Sequence, residues 1–463
     1  MLAWHLSVLF NANMSSPTPA LDRLRNGPIL STLLRLSLPN VLAMVMTVAV
    51  GIAETWYVGR LGTTPLAAMA LVFPFAMLSG MMSAGAMGGG VSSAISRALG
   101  AGDTHRSNQL ALHAVLIGAV AGVLYSLVFI AFGPLLYSLL GGQGDVLEAA
   151  VGYSQVLFCG ALLVWLSNTL ASVLRGTGNM RVPSLGILGT ALLQIVWGGL
   201  LGLGAGPVPS LGMTGIALGH IAATAVGVVY FAWFLLSGRS RLNLHWQGFR
   251  PRKDMLHDIL KVGAVAMISP LQSVLAVLIF TGLIARLGTL PLAGYGIGQR
   301  LEFLLIPISF GIGVASVPMV GMAVGAGQVA RARRVAWTAA GLSAFNLALI
   351  GIWVTVLPEQ WAGLFSDHPG VLQHARDYLT TAGPAFAFFG MGLTLYFASQ
   401  GSGKVLGPVL AGTVRLLLVA GAGWWLLQQE ADALAYFRLV SAAMVIYGVS
   451  TVILVRMTRW QRS

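Results

Sequence analysis

Two glutamates, Glu54 and Glu302, are the acidic side chains best placed for chemistry in this sequence. Each lies inside a long apolar segment, whereas the other acids lie in polar connections or near the ends of such segments. A charged side chain at the centre of a bilayer costs roughly 2.5–3.5 kcal/mol on insertion scales. Leucine at either position would avoid this cost, so we predict that both carboxylates serve ion or proton binding.

Small and polar residues share the predicted helix faces of both glutamates at three- and four-residue steps. Such faces are typical of helices that line a cavity, and both lie in the outward half of the membrane. The predicted lining residues are Asn40, Thr47 and Gly51 with Glu54, and Tyr295 and Ser309 with Glu302; Arg300 is a further cavity-lining candidate on another face of its helix.

Each glutamate also has a structural interpretation. Glu54 could reach the outer interface and pair with Arg60, because six residues of helix span roughly 9 Å. Glu302 could pair with Arg300, or one of the two could fix a neighbouring helix. Since residues two apart on a helix point to different faces, we expect a partner for Glu302 elsewhere.

Other polar and aromatic residues inside the apolar segments are weaker candidates. They could contact a substrate, but within a membrane such side chains more often hydrogen-bond or pack between helices. They are Asn168, Gln194, His220, Gln272 and Tyr396.

The composition places these residues in membrane-spanning helices. Of the 463 residues, 57% are hydrophobic and 8% are charged, whereas a soluble domain has about 25% charged residues. Because a span needs about 20 apolar residues, we predict an all-α integral membrane protein with twelve transmembrane helices. Their approximate ranges are 33–58, 66–97, 108–132, 146–174, 182–204, 213–237, 259–285, 291–324, 335–357, 372–400, 405–428 and 433–456.

The distribution of Arg and Lys predicts the orientation. The N-terminus and every second loop after it carry clusters of basic residues, whereas the opposite loops carry only Arg60 and Arg286. By the positive-inside rule, both termini face the cytoplasm. We predict a cytoplasmic tail at 1–30, an N-lobe at 31–237, a cytoplasmic inter-lobe loop at 238–256 and a C-lobe at 257–463. Residues 1–13 are expected to be an upstream start or a disordered tail.

The two halves repeat each other at a spacing near 225 residues. VGRLGTTPLAAMAL at 58–71 matches IARLGTLPLAGYGI at 284–297, and LRGTGNMRVP at 174–183 matches SQGSGKVLGP at 399–408. Tyr153 pairs with Tyr378 in the same register. The repeat predicts two pseudo-symmetric six-helix lobes related by an axis along the membrane normal, with substrate sites between them.

Several function classes are excluded by composition and motif. The net charge of +13 is spread over short loops rather than gathered in one patch, which argues against nucleic acid. The single cysteine, Cys159, excludes an internal disulfide framework and a cysteine metal cluster. A membrane-embedded enzyme would need a cluster of catalytic or metal-binding side chains, and none is present at sensible spacing. We predict no enzyme activity, no cofactor and no metal site.

From about residue 30 to 457, the sequence resembles the MATE (multidrug and toxic compound extrusion) family. The resemblance rests on GIAETWYVGRLG, LRGTGN, GPVPSLGMTGIALG at 206–219 and YGIGQRLEFLLIPISFGIGVASVPMVGMAVGAG at 295–327. It implies a transporter that exports drugs while protons or sodium ions enter. A lipid or polysaccharide-precursor flippase of the same superfamily is the alternative, disfavoured because only Arg300, Arg415 and Arg438 lie deep in the spans.

The resemblance also bears on the coupling site. The family usually has Asp where this chain has Glu54, and DinF-like members carry an Asn and an Asp where Gln194 and Gly198 stand here. NorM-like members use acids in spans seven and ten, but span seven here has Gln272 and Ser273. We therefore expect a bacterial inner-membrane protein closer to the DinF-like branch. It should act as a monomer in contact with membrane lipids and couple export of a small cationic or amphipathic substrate to protons rather than sodium.

Overall fold

The computed structural model describes residues 22, 24–204, 207–244 and 249–460, and its long elements are helices. The predicted tail residues 1–21, which include 1–13, lie outside the described residues. Twelve apolar spans are present when the bent pair in α4 is taken as one, which confirms the predicted fold class. They are α1 Ile29–Leu61, α2 Thr63–Gly100, α3 Thr104–Leu139, α4 Gly144–Cys159 with Ala161–Gly176, α5 Arg181–Leu203, α6 Gly212–Leu236, α7 Lys253–Ala285, α8 Thr289–Gly325, α9 Val329–Val356, α10 Pro369–Ser402, α11 Leu406–Gln428 and α12 Ala433–Met457.

Four of the spans are interrupted, and the break in α7 is a single turn residue, Met267, between Lys253–Ala266 and Ile268–Ala285. The two helices of α4 meet at an angle of 43°. A π-helical stretch, Met81–Met87, lies in the middle of α2, and a 3-10 turn, Gly383–Ala385, divides α10. Pi-helical turns widen the backbone locally and are frequent at functional sites. The short helix Pro358–Ala362 connects α9 to α10.

The lobes meet at one end of the helices, which we call the basic side because the Arg and Lys clusters lie there. Ser93 of α2 donates to the carbonyl oxygens of Gln400 and Gly401 in α10. Arg97 of α2 lies 3.0 Å from Asp258 of α7. In the described ranges, the hydrogen bonds and ion pairs between lobes join helix halves on the basic side, whereas polar contacts near the opposite ends stay within a lobe. The cleft between the lobes is therefore closed on the basic side.

The inter-lobe connection is held against the N-lobe. Arg241 donates to the carbonyl oxygen of Thr177 at 2.6 Å, and the backbone nitrogen of Arg252 donates to His113 Nε2 at 2.8 Å. Helix α7 begins at Lys253, so the last four residues of the predicted loop at 238–256 are already helical. The connection therefore links the lobes while remaining attached to α3 and α4.

Candidate ion and substrate site

Glu54 lies in a polar cluster formed by α1, α5 and α6, which we call the Glu54 cluster (Glu54, Gln194 and His220). Gln194 Nε2 donates to Glu54 Oε1 at 2.7 Å, and His220 Nδ1 lies 3.8 Å from the same oxygen. Gln194 Nε2 also contacts His220 Nδ1. The Glu54 side chain is only 12% exposed and that of His220 is 27% exposed. Three neighbouring helices thus each contribute one side chain to a nearly enclosed site.

The packing of α5 against α6 and α1 brings these side chains together. A Cβ atom on Gly219 would lie 2.6 Å from the backbone nitrogen of Gly198, so a glycine is needed at position 219, where the helices approach closely. This contact places His220 beside Gln194. On the other face of α5, Tyr57 donates to the carbonyl oxygen of Ile195 at 3.0 Å and fixes α1.

The Glu54 cluster is suited to holding a proton. A carboxylate and an imidazole can each accept one, and the Gln194 amide can donate to either acceptor. Metal ions are usually held by several acidic or imidazole ligands, and within the described residues no group of three or more His, Cys, Asp or Glu side chains could hold one. Arg60 instead stacks over the Trp56 ring, with 5.2 Å from Cζ to the ring centroid. The described ion pairs join Glu54 to His220 and not to Arg60.

The three other residues predicted on the Glu54 face of α1 differ in what they contact. Asn40 is fully buried, and its Nδ2 donates to the carbonyl oxygen of Gly311 in α8 at 3.4 Å. Asn40 therefore packs between the lobes in this closed arrangement, and its role as a cavity-lining residue stays a prediction. Thr47 donates to Ala43 of its own helix at 3.1 Å. Gly51 has open space where a Cβ atom would point, as expected beside a cavity.

Glu302 has a partner on a different helix, in a second cluster within the C-lobe. The hydroxyl of Tyr378 in α10 donates to Glu302 Oε1, and the rings of Tyr378 and Tyr295 pack edge to face at 5.4 Å. Arg415 of α11 lies within electrostatic range of Glu302. Arg300 is exposed and stacks over the ring of Phe365 at 5.0 Å, away from Glu302 as the helix spacing predicts, and its cavity-lining role stays a prediction.

Of the remaining predicted residues, two are buried in helix contacts. Ser309 accepts from Ser343 at 2.9 Å between α8 and α9. Tyr396 donates to the carbonyl oxygen of Ala266 at 2.9 Å and ties α10 to α7. Both are almost completely buried between helices in this arrangement, and their cavity-lining role stays a prediction.

The last two predicted residues are held by hydroxyl groups on neighbouring helices. Asn168 donates to Ser83 in the π-helical stretch of α2 at 2.8 Å. Gln272 donates to Thr413 at 2.7 Å and lines a small pocket in the C-lobe. Each lobe therefore holds one of these amides inside its own helix bundle.

The two carboxylates lie beside equivalent tyrosines although they come from non-equivalent helices. Tyr153 of α4 is buried within electrostatic range of Glu54, and Tyr378 of α10 donates to Glu302. These tyrosines correspond in the internal repeat, and each lies on the fourth helix of its lobe. The internal repeat pairs Tyr153 with Tyr378, but it does not by itself predict that each tyrosine lies beside an acid. The shared register of the two tyrosines is the sequence signal that could have pointed to this arrangement.

Comparison with known proteins agrees with this architecture. The chain is 24% identical over 399 residues to the multidrug export protein MepA of Staphylococcus aureus, covering 84% of this chain and 86% of the relative. It is 24% identical over 396 residues to an FAD transporter of Shewanella oneidensis, covering 86% and 87%. A MOP superfamily transporter from Pyrococcus furiosus superposes with a TM-score of 0.87 at 22% identity, covering 96% of this chain and 98% of that one.

The family model MatE matches twice, at residues 39–199 and 266–425. One match falls in each six-helix half, as the internal repeat requires, and together they cover more than half of the chain. The chain therefore belongs to the MATE family of membrane transporters, and it is a transporter rather than an enzyme.

Proposed function

We propose that this protein is a secondary active exporter of small organic compounds, driven by protons that bind at Glu54. The observation that carries the proposal is the Glu54 cluster, in which the carboxylate is held by Gln194 at 2.7 Å and approached by His220 at 3.8 Å. A nearly enclosed carboxylate in an apolar lobe is costly unless its charge can change during function. The assignment of this chain to the DinF-like branch of the family also rests on the N-lobe and is part of the same proposal.

The side chains around Glu54 favour a proton over sodium as the coupling ion. A desolvated sodium ion prefers several oxygen ligands, but the second acid of the family pattern is replaced by Gly198. The neighbours of Glu54 are an amide that already donates to it and an imidazole nitrogen. A glutamate and a histidine can instead each take up a proton, and a shift of the Gln194 amide away from His220 Nδ1 would let the two side chains share one.

The closed basic side supports a description of the transport cycle. By the positive-inside rule the basic side is cytoplasmic, so the cleft of this arrangement opens to the outside of a bacterial inner membrane. A proton from outside would then reach Glu54, and rocking of the lobes would expose it to the cytoplasm. Reporter fusions to the C-terminus should be active only with cytoplasmic reporters; activity restricted to periplasmic reporters would contradict this orientation.

The substrate class is proposed from relatives and from lobe composition. MepA is named for multidrug export, which favours cationic or amphipathic compounds for this chain. The FAD transporter is a specific reason to consider an anionic nucleotide as a second candidate. A flippase would need several deep basic residues in the cleft, and Arg300 is exposed against Phe365.

The test is gradient-driven transport in proteoliposomes. Ethidium efflux should follow an imposed proton gradient and should not follow a sodium gradient of equal size. Glu54→Gln should reduce proton-driven efflux at least tenfold. Glu54→Asp should retain part of the efflux, because it keeps the carboxylate on a side chain that is one methylene shorter. The matched control is Glu148→Gln, which changes an acid near the start of α4. Wild-type efflux by Glu54→Gln, with unchanged pH dependence, would refute the proposal.

A further inference from the structure

The residues just before α1 cross the closed basic side of the cleft. Residues 24–27, which we call the N-terminal strap, belong to the cytoplasmic tail predicted at 1–30, yet they are seated on the protein. Leu24 is only 4% exposed and is part of a large apolar core cluster. Because Leu24 lies outside the membrane spans, insertion into a bilayer does not explain its burial. The strap therefore has contacts of its own, and they involve both lobes.

The side chain of Leu24 lies where the two lobes meet. Gly178, in the connection between α4 and α5 of the N-lobe, has a φ of +81°, and a Cβ atom on it would lie 2.2 Å from Leu24 Cδ1. The Cε atom of Met322, on α8 of the C-lobe, lies 3.6 Å from the same point. Leu24 thus packs on the N-lobe backbone beside a C-lobe side chain, and a residue larger than glycine at position 178 would displace it.

Two arginines hold the strap, one to each lobe. Arg25 donates to the carbonyl oxygen of Gly100, the last residue of α2 in the N-lobe. Arg331, near the start of α9 in the C-lobe, donates to the carbonyl oxygen of Gly27 at 2.7 Å and to that of Leu24 at 3.4 Å. Hydrogen bonds from charged groups are stronger than those between neutral groups. The strap is therefore tied to both lobes at the end of the cleft that is closed.

We propose that the N-terminal strap holds the basic side closed and must be released from the C-lobe before this side can open. Opening would carry α8 and α9 away from α2, so the strap cannot keep its contacts with both lobes. It leads directly into α1, which begins at Ile29, and therefore stays with the N-lobe. The bonds from Arg331 then break, and Leu24 loses its contact with Met322. This proposal rests on the rocking motion proposed above and is independent of the coupling ion and the substrate.

Spin-label distances across the basic side test the proposal in the full chain, in nanodiscs and without substrate. With Cys159 replaced by serine, His105→Cys at the start of α3 and Lys404→Cys after α10 provide exposed label sites, one on each lobe. Arg331→Gln removes the guanidinium that binds the strap. It should raise the ratio of long to short distances by roughly tenfold, as expected for loss of a charged hydrogen bond made in one state only. Arg331→Lys should raise this ratio less.

A second variant removes the apolar contact of the strap, and each variant has a matched control. Leu24→Ala should also raise the ratio of long to short distances, because the contact with Met322 is made only in the closed arrangement. Leu30→Ala, at a position that is 50% exposed, should leave the ratio unchanged. Arg334→Gln, which changes an exposed arginine of α9, should likewise leave it unchanged. Because the two test variants remove different contacts, either one decides the matter if the other fails to fold.

Distances recorded at neutral and at acidic pH separate the strap from the motion that it controls. If the distances lengthen at one pH in the wild type, and to the same extent in Arg331→Gln and Leu24→Ala, the role of the strap is overturned and the rocking motion stands. If they stay short in every variant at both pH values, both are overturned. Because the measurement uses neither a gradient nor a substrate, proton-driven export through Glu54 is judged separately, by efflux.

Discussion

Asp258 of α7 joins the two lobes by accepting from two arginines of the N-lobe at once. Arg97 Nη2 lies 3.0 Å from one carboxylate oxygen, and Arg106 Nη2 lies 3.0 Å from the other. Lys261, one turn further along α7, lies 2.9 Å from the first oxygen. The Asp258 side chain is 14% exposed. One acid therefore contacts three cations at the point where the cleft is closed.

Removing this acid should favour separation of the basic ends. Asp258→Asn leaves Arg97 and Lys261 close together without a counter-charge and leaves Arg106 with only Asp254 at 3.8 Å, at a cost of about 1–3 kcal/mol once solvent exposure is taken into account. We expect spin-label distances between the basic ends of α2 and α8 to lengthen in a larger fraction of molecules. Asp145→Asn, an exposed acid at the start of α4, should leave the distances unchanged. An unchanged distribution for Asp258→Asn would show that the ion pairs do not hold the cleft shut.

Close helix contact should contribute to the same closure. A Cβ atom on Gly90 of α2 would lie 2.7 Å from the backbone nitrogen of Gly263 in α7, so Gly90→Ala requires the helices to move apart. We expect this variant to fold but to show longer spin-label distances across the basic side and slower export. Gly80→Ala on the same helix is the control, because its Cβ atom would meet nothing within 4 Å. Equal behaviour of the two variants would contradict the prediction.

The two glutamates and the twelve spans could be predicted from sequence because both follow from the cost of burying charge in a bilayer. Glu54 and Glu302 stand out against apolar neighbours, and span length follows from bilayer thickness. The partner of Glu54 could be predicted only in part. The position of Gln194 relative to the family's motifs predicts its place beside Glu54. Nothing in the sequence distinguishes His220 from the other polar residues inside the spans.

Contacts between helices account for what the sequence could not show. His220 reaches Glu54 because α5 and α6 approach closely at Gly198 and Gly219, a contact between segments that no local pattern encodes. For the same reason the sequence predicts that the partner of Glu302 lies elsewhere than Arg300 but cannot name it. A helix face can be predicted from spacing, but the helix it packs against cannot, so the bond from Tyr378 came only from the structure.

Export should require the opposite ends of the lobes to approach each other. The closed basic side and the internal repeat together favour a rocking motion, in which the short connections after α1 and α7 come together. With Cys159 replaced by serine, Thr63→Cys and Thr289→Cys should cross-link during turnover, and complete cross-linking should block efflux. Reduction of the cross-link should restore efflux, and either single cysteine should transport normally. Undiminished transport in a fully cross-linked sample would exclude this motion.

The strongest test of the Glu54 cluster is a double-mutant cycle between Glu54 and His220. If the two side chains share one proton, they act as a unit, and effects of residues that act as a unit are not additive. His220→Gln keeps a hydrogen-bonding side chain but cannot take a proton. We therefore expect it to slow proton-driven efflux by roughly 10²-fold, the lower end of the range for loss of proton transfer in catalysis. Glu54→Gln combined with His220→Gln should then be no slower than Glu54→Gln alone.

The control cycle pairs Glu54→Gln with His113→Gln. His113 is buried against the inter-lobe connection, where its Nε2 accepts from Arg252, so its effect should add to that of Glu54 rather than coincide with it. Melting temperatures measured on the same samples separate loss of coupling from loss of folding. Additive effects of Glu54 and His220 would mean that the 3.8 Å approach between them is only a packing contact, and that Glu54 carries its proton without the imidazole.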